Sequence, residues 1–168
     1  MIKIVYLKSE YIDYLRQFDQ RVCYNKGQTR PYIGILFTIK NLKYYAPLSS
    51  PKPKHLKMKD LIDVIRIDSG KLGIINLNNM IPVKRDSIIN FNIMEEINEQ
   101  YRQLLIKQVL YFKDNEERIL NRALTLYNSY MKNTLSQATK ERCCDFKLLE
   151  EKAKLYQVNY KSKNKDAK

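Results

Sequence analysis

Residues 32–46, YIGILFTIKNLKYYA, decide the reading of the fold. An apolar run of strand length, residues 32–39, meets the turn residue Asn41, and residues 43–46 return with the same character. Two such runs about one turn read as a β-hairpin, with Pro47 breaking the second strand. Upstream, residues 2–7 (IKIVYL) are rich in β-branched side chains and read as a first strand. Ser9 then stands where it can cap a short helix over residues 10–18, with Tyr11, Tyr14, Leu15 and Phe18 on one face. A polar loop over residues 21–31 joins that helix to the hairpin, long enough to suggest function or mobility. Downstream, the proline- and lysine-rich stretch 48–59 reads as irregular. Residues 64–68 and 72–77 read as strands turning at Ser69 and Gly70, and residues 81–83 and 88–93 as a further short strand.

The period changes after Asn92. Residues 94–114 place Ile97, Tyr101, Leu104, Leu105, Gln108, Val109 and Phe112 on one helical stripe. A second helix runs from Asn115 to about residue 134, with Ile119, Leu120, Ala123, Leu124, Tyr127 and Met131 inward, and a third over about residues 144–156. Strands first and helices last give an α+β fold, an antiparallel sheet with the late helices against it. One domain is expected over residues 1–160, followed by a basic, disordered tail over 161–168.

The 168 residues carry 31 Lys+Arg against 18 Asp+Glu, a net charge of +13. The excess is local: residues 1–60 alone have a net charge of +8. Such a surface suits a polyanion, because phosphate contacts release counterions. Three cysteines, Cys23, Cys143 and Cys144, form neither a disulfide framework nor a zinc pattern, and packing explains the adjacent pair. The single histidine, His55, excludes mechanisms that need two, and no phosphate-binding glycine fingerprint occurs. No signal peptide or membrane span is evident, so a cytoplasmic protein without membrane contact is expected.

The densest chemistry is in residues 46–55, APLSSPKPKH. Ser49 and Ser50 stand beside Lys52, Lys54 and His55, on a backbone that three prolines restrict. A serine nucleophile would need a base from the sole histidine five residues away, which disfavours acyl transfer. RNA supplies its own nucleophile, the 2′-hydroxyl. The protein then need only orient the backbone, move a proton and stabilise the developing phosphorane, with no metal or other cofactor. Hydroxyls can hold phosphate oxygens and Lys52 can neutralise charge. A solvated surface loop would have the same composition. His55 has the pKa of an acid or base but would equally serve as a hydrogen-bonding loop residue. Arg21, Lys26 and Arg30 form a second basic group, placed to clamp RNA phosphates or to solvate a loop, with the local charge excess favouring the clamp.

Five stretches resemble the ToxN/AbiQ family of endoribonuclease toxins from type III toxin–antitoxin and abortive-infection systems. They are YIGI at 32–35, KYYAPLSSPK at 43–52, LGIINLNNMIPV at 72–83, YRQLLIKQVLYFKDN at 101–115 and FKLLEEK at 146–152, in family order. The resemblance implies a twisted antiparallel sheet surrounded by helices, similar to Kid/MazF-type toxins. It implies metal-independent RNA cleavage, leaving a 2′,3′-cyclic phosphate and a 5′-hydroxyl. It also implies an RNA inhibitor made as tandem repeats, folded into pseudoknots, processed by the toxin and bound in a closed protein–RNA hetero-oligomer. Substrates would be cellular and phage RNA. By that likeness Ser49, Ser50 and Lys52 are the catalytic residues. Arg30 stands where relatives have a basic residue, keeping charge but not ready proton transfer. Lys26, Tyr32, Lys54, His55 and Arg21 complete the expected RNA-binding set. The alternative from another class is a non-catalytic RNA-binding protein using the same groove.

Overall fold

Period-two alternation in the first half of the chain becomes strands, and period 3.6 in the second half becomes helices. The computed structural model describes residues 1–157. The order is β1 (Lys3–Leu7), α1 (Ser9–Arg16), β2 (Tyr32–Gly34), β3 (Thr38–Ile39), β4 (Leu42–Ser49), α2 (Pro53–Lys57), β5 (Val64–Arg66), β6 (Ile74–Asn76), β7 (Ile81–Val83) and β8 (Ile88–Ile89). Helices α3 (Glu99–Asp114), α4 (Glu116–Met131), α5 (Gln137–Arg142) and α6 (Phe146–Leu155) follow. The expected tail, residues 161–168, lies outside the described residues.

Strand β4 is the spine of an eight-stranded antiparallel sheet, ordered β5-β6-β4-β2-β1-β8, with β3 and β7 also on β4. One edge of β4 takes β3 and then β2. The other takes β7 against Lys43–Tyr45 and β6 against Leu48 and Ser49. Pro47 does not end the strand, contrary to expectation. The neighbouring Leu48 N–H points to the β2 side, onto the Pro31 carbonyl at 2.9 Å. Pro47 therefore faces the other edge, in the gap where β4 passes from β7 to β6, and a missing N–H there breaks no ladder bond.

The hairpin's first strand is also interrupted. Ile33 pairs with Ala46, but Thr38 pairs with Lys43, so two extra residues bulge from that strand around 35–37. Phe37 turns to stack on Tyr44, ring centroids 4.6 Å apart. Gly34 is required here, since a Cβ would lie 2.3 Å from the Tyr45 ring.

The core lies between the sheet and the late helices. Tyr44, Tyr127 and Phe146 pack edge to face or stacked around Glu150, whose Oε1 accepts from the Tyr44 hydroxyl at 2.8 Å and the Tyr127 hydroxyl at 2.7 Å. Cys143 and Cys144 are buried, and burial pushes both thiols up, as packing residues require.

Four local expectations are corrected. Ser9 lies inside α1 rather than capping it. Stretch 48–59 contains helix α2, because Pro53 occupies the first helical turn, where proline fits best. Helix α3 begins at Glu99, capped by Asn98, whose Oδ1 accepts from the Tyr101 N–H at 2.9 Å, and Ile97 is left 94% exposed. On α4 the buried position is Leu126, with Leu124 exposed. Helix α5 has no strong apolar stripe and was not foreseen. Arg142 holds it by a bidentate pair to the fully buried Asp63 at 2.9 and 3.0 Å.

Candidate active site

Strand β4 delivers Ser49 at its C-terminal end, and the chain then leaves the sheet through Ser50, Pro51 and Lys52 into α2. Ser49 is half-buried, while Ser50 and Lys52 are exposed. Two glycines press on this segment from outside it. A Cβ on Gly73 would lie 2.1 Å from the Ser49 carbonyl oxygen, and one on Gly70 would lie 2.3 Å from the His55 carbonyl oxygen. Both have positive φ, +98° and +93°.

The 21–31 loop forms the opposite wall. It is anchored rather than loose. Val22 is fully buried, and the buried Asn25 donates from Nδ2 to the Leu7 carbonyl at 2.8 Å. Lys26, Gly27 and Gln28 all have positive φ, which turns the chain tightly back. The Thr29 hydroxyl closes the turn by donating to the Lys26 carbonyl at 2.8 Å. Arg30 reaches across to β4: its Nε donates to the Tyr24 carbonyl at 2.7 Å and its Nη1 approaches the Leu48 carbonyl at 3.5 Å.

Between the walls is a hollow of about 330 Å³ lined by Lys26, Arg30, Ser49, Ser50, Lys52 and Tyr101, among others. Among the described residues no acid lines it and none of its three cations forms an ion pair. The Tyr101 phenol, from the first turn of α3, is pushed up by burial and by its pairing with Tyr6. Three cations and several hydroxyls with no carboxylate suit a phosphodiester, whose charge and acceptor oxygens they match. Among the described residues no cluster of His, Cys, Asp and Glu could hold a metal ion, and no helix is long and apolar enough to cross a membrane.

Five of the nine site residues expected from sequence meet here: Lys26, Arg30, Ser49, Ser50 and Lys52. Lys54 is exposed on α2, beside the hollow's lining rather than in it. Tyr32 and His55 are corrected, whereas Arg21 stays exposed but lies outside the hollow's lining. Arg21 is committed to the buried carboxylate of Asp19, Nε to Oδ1 at 2.9 Å, and holds the start of the loop. Tyr32 is fully buried, and among the described residues its hydroxyl has no hydrogen-bond partner, so it cannot face RNA. His55 is 1% exposed and works inward. Thr29, Tyr101 and Asn76 were missed. Asn76 carries a visible signal, the one side chain with a polar end in the apolar run LGIINL.

His55 clasps the loop at its exit. The Lys52 N–H donates to its Nδ1 at 3.2 Å, and the His55 N–H donates to the Lys52 carbonyl at 2.9 Å. An accepting Nδ1 must be unprotonated. Burial, then Lys54 and Lys52, hold the ring's pKa below its ordinary value of 6.5. The unfolded chain therefore binds this proton more readily than the folded one. The clasp contributes its full stability above about pH 6.5 and loses it as pH falls below that value. Thermal melts of wild type are thus expected to fall more steeply between pH 7 and pH 5 than those of His55→Asn, which retains an acceptor that does not titrate. Parallel curves would remove His55 from this role.

Three comparisons accord with the geometry. The family model described as "Toxin ToxN, type III toxin-antitoxin system" matches residues 3–154. Endoribonuclease ToxN of Bacillus thuringiensis subsp. kurstaki is 33% identical, aligned over 95% of this chain and 87% of its own length. Endoribonuclease AbiQ of Lactococcus lactis subsp. lactis is 31% identical, over 88% of this chain and 85% of its own. A solved toxin structure, from a type III system with selective toxin inhibition by a non-coding RNA pseudoknot, superposes with a TM-score of 0.80 at 32% identity. That superposition covers 92% of this chain and 97% of the other.

Proposed function

The chain belongs to the ToxN family of type III toxin–antitoxin endoribonucleases, and we propose that it cleaves RNA, without a metal ion, at the hollow between the 21–31 loop and the end of β4. The observation that carries this reading is the gathering of Ser49, Ser50 and three acid-free cations around one cavity. Ser49 and Ser50 donate hydrogen bonds to the non-bridging oxygens of the scissile phosphate. Lys26 and Arg30 hold the flanking phosphates, with Lys54 beyond them, and fix the backbone for in-line attack. The 2′-oxygen forms a bond to phosphorus and loses its proton. The bond from phosphorus to the 5′-oxygen breaks, and that oxygen takes up a proton. Lys52 stabilises the negative phosphorane between these events and can supply the second proton. The products are a 2′,3′-cyclic phosphate and a 5′-hydroxyl.

The same basic hollow suits an inhibitor that is itself RNA. In this reading a pseudoknot antitoxin RNA occupies the substrate path, is cut from a repeated precursor by the toxin and stays bound in a closed protein–RNA assembly. Its release in the bacterial cytoplasm frees the toxin against phage and cellular RNA. The deciding experiment is cleavage of mixed-sequence single-stranded RNA by purified protein in EDTA, with end-group analysis. Cyclic phosphate and 5′-hydroxyl ends are expected. Activity abolished by EDTA, or 5′-phosphate ends, would overturn the mechanism, and tight binding without cutting would favour a binding role.

A further inference from the structure

Asn76 closes β6 on the edge of β4 that lacks a proline N–H. Leu48 pairs with Ile75 and Ser49 with Ile74. Asn76 therefore stands across from Pro47 and diagonal to Ser49, on the same face of the sheet. Its Nδ2 donates to the Ser49 Oγ at 2.9 Å and approaches the Pro47 carbonyl at 3.3 Å.

The second contact orients the first. A carbonyl oxygen can only accept, so the amide must turn its NH₂ end toward β4. The amide thus spends both hydrogens there: one on Pro47 and the other on Ser49. The Ser49 hydroxyl receives a hydrogen bond, which occupies one lone pair. Among the described residues no acceptor takes its own proton. Ser49 lines the hollow, so that proton is left for a ligand there.

We propose that Asn76 is a positioning residue: it holds the Ser49 hydroxyl as a donor aimed at the scissile phosphate. This rests on the phosphodiester reading of the hollow. Without Asn76 the hydroxyl rotates freely, and nothing fixes the direction of its proton toward the substrate. The donor matters most as charge grows on the phosphate oxygens, so the effect belongs to kcat more than to KM.

A double-mutant cycle tests this on the full chain with an RNA substrate. Asn76→Ala is expected to lower kcat by about tenfold, the size of one hydrogen bond, with KM within about twofold. In a Ser49→Ala background the same substitution should change kcat by less than about twofold, because the group it positions is gone. Equal losses of kcat in both backgrounds would make Asn76 merely structural and overturn the proposal. Melting temperatures are read alongside. If Asn76→Ala unfolds the sheet edge, Asn76→Asp supplies the second arm. Its carboxylate accepts the Ser49 proton while keeping the side chain's size, so kcat falls further with Ser49 present than in Ser49→Ala. An equal fall in both backgrounds again overturns the proposal. Ser49→Ala without loss of kcat would strike the hollow's assignment itself. A cycle that fails to couple, with Ser49→Ala impaired, strikes only Asn76.

Discussion

Ser50→Ala is expected to lower the rate of RNA cleavage by about 10²–10³-fold, the usual cost of removing one preorganised donor to a developing oxyanion. Affinity for RNA should stay within about threefold. Ser50 is exposed, and among the described residues its hydroxyl is in no internal hydrogen bond, so its loss removes nothing from the fold. The cations proposed to gather RNA, Lys26, Arg30 and Lys52, remain in place. Single-turnover cleavage and equilibrium binding on one RNA separate the two effects. Equal losses in rate and affinity would make Ser50 a binding group and would favour an RNA-binding protein over a nuclease at this hollow.

The second large effect comes from outside the loop. Gly73→Ala is expected to destabilise the protein by about 3 kcal/mol, from a positive φ that disfavours a Cβ and from overpacking against backbone. The φ is +98°, and the added atom would lie 2.1 Å from the Ser49 carbonyl oxygen. A peptide group cannot swing aside as a side-chain tip can, so β4 or the 67–73 turn must move. Thermal melts should fall by roughly 10 °C for a protein of this size, and cleavage should fall beyond what unfolding explains, since Ser49 moves too. Gly27→Ala is the control. Its φ is +64°, but a Cβ there meets nothing within 4 Å, so only the conformational cost of about 1 kcal/mol remains. Two equal shifts would show that the close approach to Ser49 is not what Gly73 serves.

The sequence made the class of fold legible because periodicity is local. Ile4, Tyr44, Ile65 and Phe112 each advertise strand or helix through neighbours a few residues away. What it hid depends on partners far along the chain. Pro47 breaks no strand because β4 changes partner beside it, which requires knowing where β6 and β7 lie. Ile97 fits a helical stripe, yet Asn98 caps the helix after it. The site divides the same way. Ser49, Ser50 and Lys52 declare themselves by chemical density in one loop, but Asn76 and Tyr101 join them from β6 and α3. His55 and Tyr32 look available in sequence and are buried in space. Arg21 remains exposed yet pairs with Asp19, an acid only two residues away in sequence.

The acid-free lining of the hollow has a thermodynamic consequence for the resting protein. Lys26, Arg30 and Lys52 repel one another across it, so folding without a ligand works against their mutual field. Any polyanion that settles there relieves that repulsion and binds the native chain in preference to the unfolded one. Occupancy and fold stability are then linked quantities: a ligand at a hundred times its dissociation constant raises stability by about 2.7 kcal/mol. The vacant protein is the less durable of the two states.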